Sequence, residues 1–175
     1  MAVKRGYECD VCDIAGAFLY GPLPDSKIIH VRGWPGLNLG YGPNGRPYVL
    51  LLTRSVHGIK EAPQVWYVTL VKFLESLGYR PLDTDPCVFR HDASDYRRII
   101  LHVDDMKLVF ESRESLDLFK AALSKEYNTQ PIADLGPIKE CVGIEYTKVA
   151  DGMELRLTKY ISKMAKKFGL EVGDA

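Results

Sequence analysis

The chain is expected to fold as an α+β domain with the ferredoxin-like βαββαβ order of elements. Two stretches, one from Glu61 to Leu77 and one from Ser112 to Tyr127, carry apolar residues at helical spacing. Short runs rich in β-branched residues, such as Ile99 to Leu101 and Met106 to Phe110, read as strands. These signals follow one another as strand, helix, strand, strand, helix, strand. At 175 residues and 46% hydrophobic content there is material for one core.

Taken in order, Tyr7 to Cys12 alternates loosely like a strand and leads to Asp13, after which Ile14 to Tyr20 reads as a short helical turn closed by Gly21 and Pro22. Lys27 to Arg32 is a short strand, Gly33 to Arg46 a Gly- and Pro-rich loop with an Asn44-Gly45 turn, and Tyr48 to Leu52 a further strand. The first helix starts near Glu61, places Trp66, Leu70, Phe73 or Leu74, and Leu77 on one face, and stops at Gly78. Pro63 fits its first turn, where a missing N–H costs least. Cys87 to Arg90 begins another strand, His91 to Tyr96 is a polar turn, and Ile99 to Phe110 forms a hairpin with Asp104 and Asp105 at its turn. The second helix carries Leu116, Phe119, Leu123 and Tyr127 on its apolar face, with Ser112 as cap and Glu114 in its first turn. Ile138 to Tyr146 precedes a hairpin through Asp151-Gly152. The last element, Thr158 to Phe168, is a helix with Thr158 as cap and Gly169 as stop. Its lysines, Lys159, Lys163, Lys166 and Lys167, fall on one face, and Tyr160 or Ile161, Met164 and Phe168 on the other.

Lys plus Arg and Asp plus Glu number 23 each, so the net charge is zero and a nucleic-acid partner would need a local basic patch. No apolar run approaches the ~20 residues of a membrane span, and the N-terminus lacks a signal-peptide core. An intracellular protein with no membrane partner is expected. Cysteines at 9, 12, 87 and 141 are too sparse for a disulfide framework, and strand periodicity sends Cys9 and Cys12 to opposite faces, which disfavours a metal or redox pair.

The chemistry centres on carboxylates. If the Asp13 strand lies beside the Asp104-Asp105 hairpin, three carboxylates converge at one end of a sheet. Hard oxygen ligands of this kind suit Mg²⁺ or Mn²⁺. Two such ions ~4 Å apart can hold an in-line phosphoryl transfer in register.

Four ordered stretches then resemble copia-type LTR retrotransposon reverse transcriptases. They are Asp13 to Gly21 (DIAGAFLYG), Ser55 to Trp66 (SVHGIKEAPQVW), His102 to Asp105 (HVDD) and Asp134 to Glu145 (DLGPIKECVGIE). The resemblance implies a palm domain that works as an RNA-directed DNA polymerase. Asp13 and Asp104 would hold two Mg²⁺ or Mn²⁺ ions, with Asp105 auxiliary. Phe18 would be a steric gate selecting dNTPs, and Ile14, His57, Gly58 and Lys60 would line the nucleotide site. Val142, Gly143 and Ile144 would be the primer grip. His102, Lys159, Lys163, Lys166 and Lys167 would meet the primer-template nucleic acid. Partners would be dNTP, a primer on an RNA or DNA template, and the remaining Pol domains, in the cytoplasm, a virus-like particle or the nucleus. The implied organisation is a palm with its grip strand over residues 1–147, then a hairpin and first thumb-like helix over 148–175, without fingers, connection or RNase H regions. Departures fall around the aspartates. His102 and His57 stand where the family has tyrosine, and Glu61 and Gln64 where it has glutamine and arginine. A non-catalytic remnant that binds nucleic acid or protein is the alternative expectation.

Overall fold

A computed structural model describes residues 6–127, 133–150 and 152–170. In chain order it has β1 (Glu8–Asp13), β2 (His30–Val31), β3 (Leu50–Leu51), α1 (Ala62–Ser76), β4 (Tyr79–Leu82), β5 (Asp85–His91), β6 (Ser94–His102) and β7 (Asp105–Phe110). There follow α2 (Arg113–Tyr127), β8 (Ala133–Pro137), β9 (Glu140–Cys141), β10 (Ile144–Val149), β11 (Gly152–Arg156) and α3 (Thr158–Lys167). The fold is mixed α and β with antiparallel sheets, as the patterning implies. It divides into two compact units, Met1–Ala15 with Leu74–Ala175, and Gly16–Phe73.

The first unit is built on a six-stranded sheet in the order β4-β5-β6-β7-β1-β8. Cross-strand partners share a face, so the register defines rows. One row runs Phe89, Ile99, Leu108, and a second Leu101, Met106, Cys12. Every one of these side chains is buried. Onto this back face α2 lays Leu116, Phe119, Leu123 and Tyr127, all buried, with the Phe119 ring 5.5 Å from Phe110 and 5.6 Å from Tyr79. Each such apolar side chain contributes about 1.5–3 kcal/mol by leaving water. The helix starts where Ser112 predicts, its hydroxyl accepting the Ser115 N–H at 3.2 Å.

In the second unit Ala17–Tyr20 is a short 3-10 turn, and α1 buries Trp66 and Leu70. A side chain at Gly21 would meet Val65 Cγ1 at 2.6 Å and the α1 backbone at 3.3 Å, so only glycine admits this approach.

Several local expectations are corrected. The two strands expected at Lys27 to Arg32 and Tyr48 to Leu52 pair over only two residues each. An unforeseen strand, β4, forms around Pro81, which a propensity reading demotes; it lies at the edge of the sheet, where Pro is tolerated. In α1 it is Leu74, not Phe73, that is fully buried. Thr158 does not cap α3; Leu157 occupies the N-cap without a capping bond of its own, and Glu145 accepts the Lys159 N–H of the first turn at 3.3 Å. The turn residue Asp151 and the side chain of Asp134 lie outside the described residues. No helix among the described residues is long and apolar enough to cross a membrane.

Candidate active site

β1 and β7 pair so that Asp13 lies directly opposite Asp105, and β6 pairs with β7 so that Asp105 lies opposite His102. Asp13, Asp105 and His102 therefore form the end row of the open face, the one α2 does not cover. The turn is Val103-Asp104, one residue earlier than an Asp104-Asp105 turn, because Asp105 already belongs to the ladder. Val103 holds φ 62°, a conformation that a β-branched residue rarely adopts, while Asp104 is not in that region. The pattern is that of a type II′ turn, whose first position normally carries glycine.

The Asp13 carboxyl sits above its ordinary value of 3.8, first through burial, then through the charges of Asp104 and Asp105; a backbone hydrogen bond at Ile14 acts the other way. No cation figures among the groups acting on it. Among the described residues no three His, Cys, Asp or Glu side chains are arranged as a formed metal site. The donor chemistry nonetheless fits a hard divalent cation: Asp13, Asp104 and Asp105 supply carboxylates that repel one another, with the His102 imidazole at the end of the row.

The Ile14 side chain is fully buried, which leaves only its main chain for a ligand. In the second unit Phe18 is half-buried, its ring 5.1 Å from exposed His57 in edge-on geometry. The buried Ser55 hydroxyl donates to the Phe18 carbonyl, and its N–H donates to Gly21 at 2.9 Å. The two motifs are thereby bonded to each other. Gly58, with φ 90°, and Lys60 are exposed on the loop before α1.

The expected grip residues form a second tight hairpin. Ile144 pairs with Cys141, leaving Val142 (φ 52°) and Gly143 (φ 73°) as its two turn residues. Lys107, two residues past Asp105 and on the same face, donates to the Tyr146 hydroxyl of β10 at 2.7 Å and lies 5.2 Å from its ring centre. Burial pushes the Cys141 thiol up, with the Lys107 charge acting against it and the Asp105 charge with it. The α3 lysines are exposed, but Lys159 is bound to Glu140, which raises its pKa. The apolar side of that helix is also uncovered, with Tyr160, Ile161 and Phe168 each more than half exposed.

Sequence reading missed two arrangements. One is the Lys107–Tyr146 tether. The other is Asp10, buried on β1 and contacted by Arg113 and Lys120 of α2; a carboxylate inside a strand pattern was its only signal.

An antiparallel sheet with carboxylates gathered at one hairpin has the donor chemistry of a hard divalent-cation site, a class of domain that serves many functions. The comparison with known families then gives the assignment. This chain belongs to the reverse transcriptase (RNA-dependent DNA polymerase) family, whose model matches residues 1–174, and its relatives are of the copia type. It is 27% identical over 175 residues, 98% of its length, to the retrovirus-related Pol polyprotein from transposon TNT 1-94 of Nicotiana tabacum. It is 29% identical over 164 residues, 91% of its length, to that from transposon RE2 of Arabidopsis thaliana. A putative transposon Ty5-1 protein of Saccharomyces cerevisiae is 27% identical over 157 residues, 89% of the chain. The chain spans only 13% and 10% of the two plant polyproteins, and 48% of the yeast protein.

Proposed function

We propose that this chain is the palm portion of a copia-type RNA-directed DNA polymerase, adding a deoxynucleotide to a primer 3′-hydroxyl at Asp13, Asp104 and Asp105. The observation that carries this reading is the pairing of Asp13 with Asp105 at one end of the face that α2 leaves uncovered, with Asp104 in the adjoining turn and Asp13 raised first by burial and then by the charges of both. Asp13 and Asp104 would hold two Mg²⁺ or Mn²⁺ ions, with Asp105 auxiliary. When bound, such ions supply acidification of the primer hydroxyl and neutralisation of the triphosphate.

The protein's own side chains do the rest. Phe18, held edge-on by His57, presents a ring that a ribose 2′-hydroxyl would strike, so dNTPs are preferred. By resemblance to the family, Ile14 would act on the nucleotide through its main chain, and Gly58 and Lys60 would be nucleotide-binding residues of the second unit. Val142, Gly143 and Ile144 support the primer terminus. Lys163, Lys166 and Lys167 meet template or primer phosphates more readily than Lys159, which is engaged by Glu140. His102, exposed at the end of the carboxylate row, would contact the primer-template near the reacting end.

The strand order β6-β7-β1-β8, with helices before β6 and after β7, supports a ferredoxin-like palm over residues 1–147. Residues 148–175 then form a hairpin and a first thumb-like helix. The names of the relatives support the remaining Pol domains as partners.

The test is primer extension on an RNA template with dNTPs and Mg²⁺ or Mn²⁺, comparing the chain with Asp104→Asn. Extension reduced by about 10³-fold or more is expected. Equal extension by both would overturn the assignment of the carboxylates. Extension by neither would overturn activity of this chain alone and favour a nucleic-acid-binding remnant.

A further inference from the structure

The register of β1 on β7 is not the one its own side chains would choose. As built, Asp10 lies opposite Leu108 and Val11 opposite Lys107. Asp10 thereby extends the buried row Phe89, Ile99, Leu108. A shift of β1 by one residue would place Asp10 opposite Lys107, an ion pair, while the apolar pairs Cys9–Val109 and Cys12–Met106 would give way to two others, Cys9–Leu108 and Val11–Met106. With the apolar pairs equal in number, the Asp10–Lys107 ion pair is what cross-strand chemistry offers the shifted strand. The partner strand β8 pairs with β1 across a register irregularity between Val11 and Cys12. A one-residue shift turns every side chain to the other face, and Asp13 would leave the row of Asp105.

What opposes the shift comes from α2. The Asp10 side chain is fully buried and accepts from Arg113 through both oxygens, at 2.6 and 3.3 Å, and from Lys120 at 2.5 Å. Arg113 also binds Glu8 at 2.5 Å. Buried ion pairs contribute little net stability compared with apolar packing, and their best-attested use is to specify one arrangement over another. We propose that Asp10, Arg113 and Lys120 form a register lock on β1, making Asp10 a positioning residue for Asp13. The lock stands on geometry alone; its catalytic meaning rests on the function proposed above.

The test reads register directly. Val109 lies opposite Cys9, so in the full chain bearing Val109→Cys, oxidation should join positions 9 and 109, mapped by peptide mass spectrometry. Adding Arg113→Met and Lys120→Met strips the lock and leaves Asp10 free to move to Lys107. The crosslink yield should then fall at least about fivefold, because residue 9 would no longer face residue 109. Adding Asp10→Leu to those changes should restore the crosslink, since leucine belongs in the buried row. An unchanged yield in the double Met background overturns the lock. So does a double Met variant that unfolds while the Asp10→Leu version folds, because Asp10 then has no other pairing to adopt. An Asp10→Leu version that fails to fold overturns it too, by making the cations simple stabilisers. Primer extension by the unmodified chain is scored separately, so an inactive chain would sink the polymerase reading and leave the crosslink result standing.

Discussion

The β6–β7 and β9–β10 hairpins invite comparison because each is closed by two residues and each puts a valine, 48% exposed, at positive φ. Val142 is followed by Gly143, also at positive φ, the pattern of a type I′ turn. Val103 is followed by Asp104, with no glycine to absorb the geometry. A strained backbone of this kind costs about 1–3 kcal/mol and persists only where its surroundings over-determine it. The first hairpin has that support: nine residues of β6 and six of β7, with Ile99, Met106, Leu108 and Phe110 buried behind them. The second rests on a two-residue β9 and strands whose far ends are exposed. The lesson is that the turn bearing a carboxylate is the one held by the core, while the expected primer-grip turn relies on its glycine.

The largest expected contrast lies beneath the turns. Phe110→Ala, behind the first hairpin, should cost about 3–5 kcal/mol in chemical denaturation. Leu155→Ala, on the 60% exposed edge beside the second, should stay within about 0.5 kcal/mol. Equal losses would break the distinction.

At the turns themselves the signs should oppose. Gly143→Ala should lose about 1–2 kcal/mol from φ alone, since an added Cβ would meet nothing within 4 Å. Val103→Gly should gain up to about 1 kcal/mol by releasing strain. The gain should come with faster amide exchange around Asp104 and weaker extension. Destabilisation by Val103→Gly would show that the turn is not strained.

A smaller effect concerns the base of the first hairpin, where Arg97 of β6 donates to Glu111, just past β7, at 2.6 Å. Arg97 holds the Glu111 carboxyl below its ordinary 4.5. A depressed folded value means that the stabilisation is present above pH 4.5 and is lost as pH falls through the lowered value. For a pair about 30% exposed, Glu111→Gln should cost a few tenths of a kcal/mol near pH 7. Denaturation curves at low pH should show parent and variant converging.

The sheet and both long helices were legible because their apolar periodicity is decided by burial: Trp66, Leu70 and Leu74 on α1, and Leu116, Phe119 and Leu123 on α2, are all buried. The carboxylate row was legible for a different reason. Asp13 and Asp105 end their strands and Asp104 sits in the turn beside them, where a short-range pattern names them and pairing needs only one register. What escaped was set by long-range chemistry. Asp10 and Lys120 are charged residues inside buried faces, and each makes sense only with the other 110 positions away. Likewise β4 survives Pro81 because of its edge position, a fact of topology that local propensity does not carry.

The most direct measurement is the thermal stability of the chain and of Asp13→Asn with and without Mg²⁺. Like charges directly opposite on a sheet destabilise by about 0.2–1 kcal/mol, so without the cation Asp13→Asn should melt roughly 1–3 °C higher than the parent. Saturating Mg²⁺ should raise the parent and leave the variant unmoved, because the cation stabilises only the chain that binds it. Equal responses to Mg²⁺ in the two proteins would contradict the assignment of Asp13, Asp104 and Asp105 as the metal-holding centre.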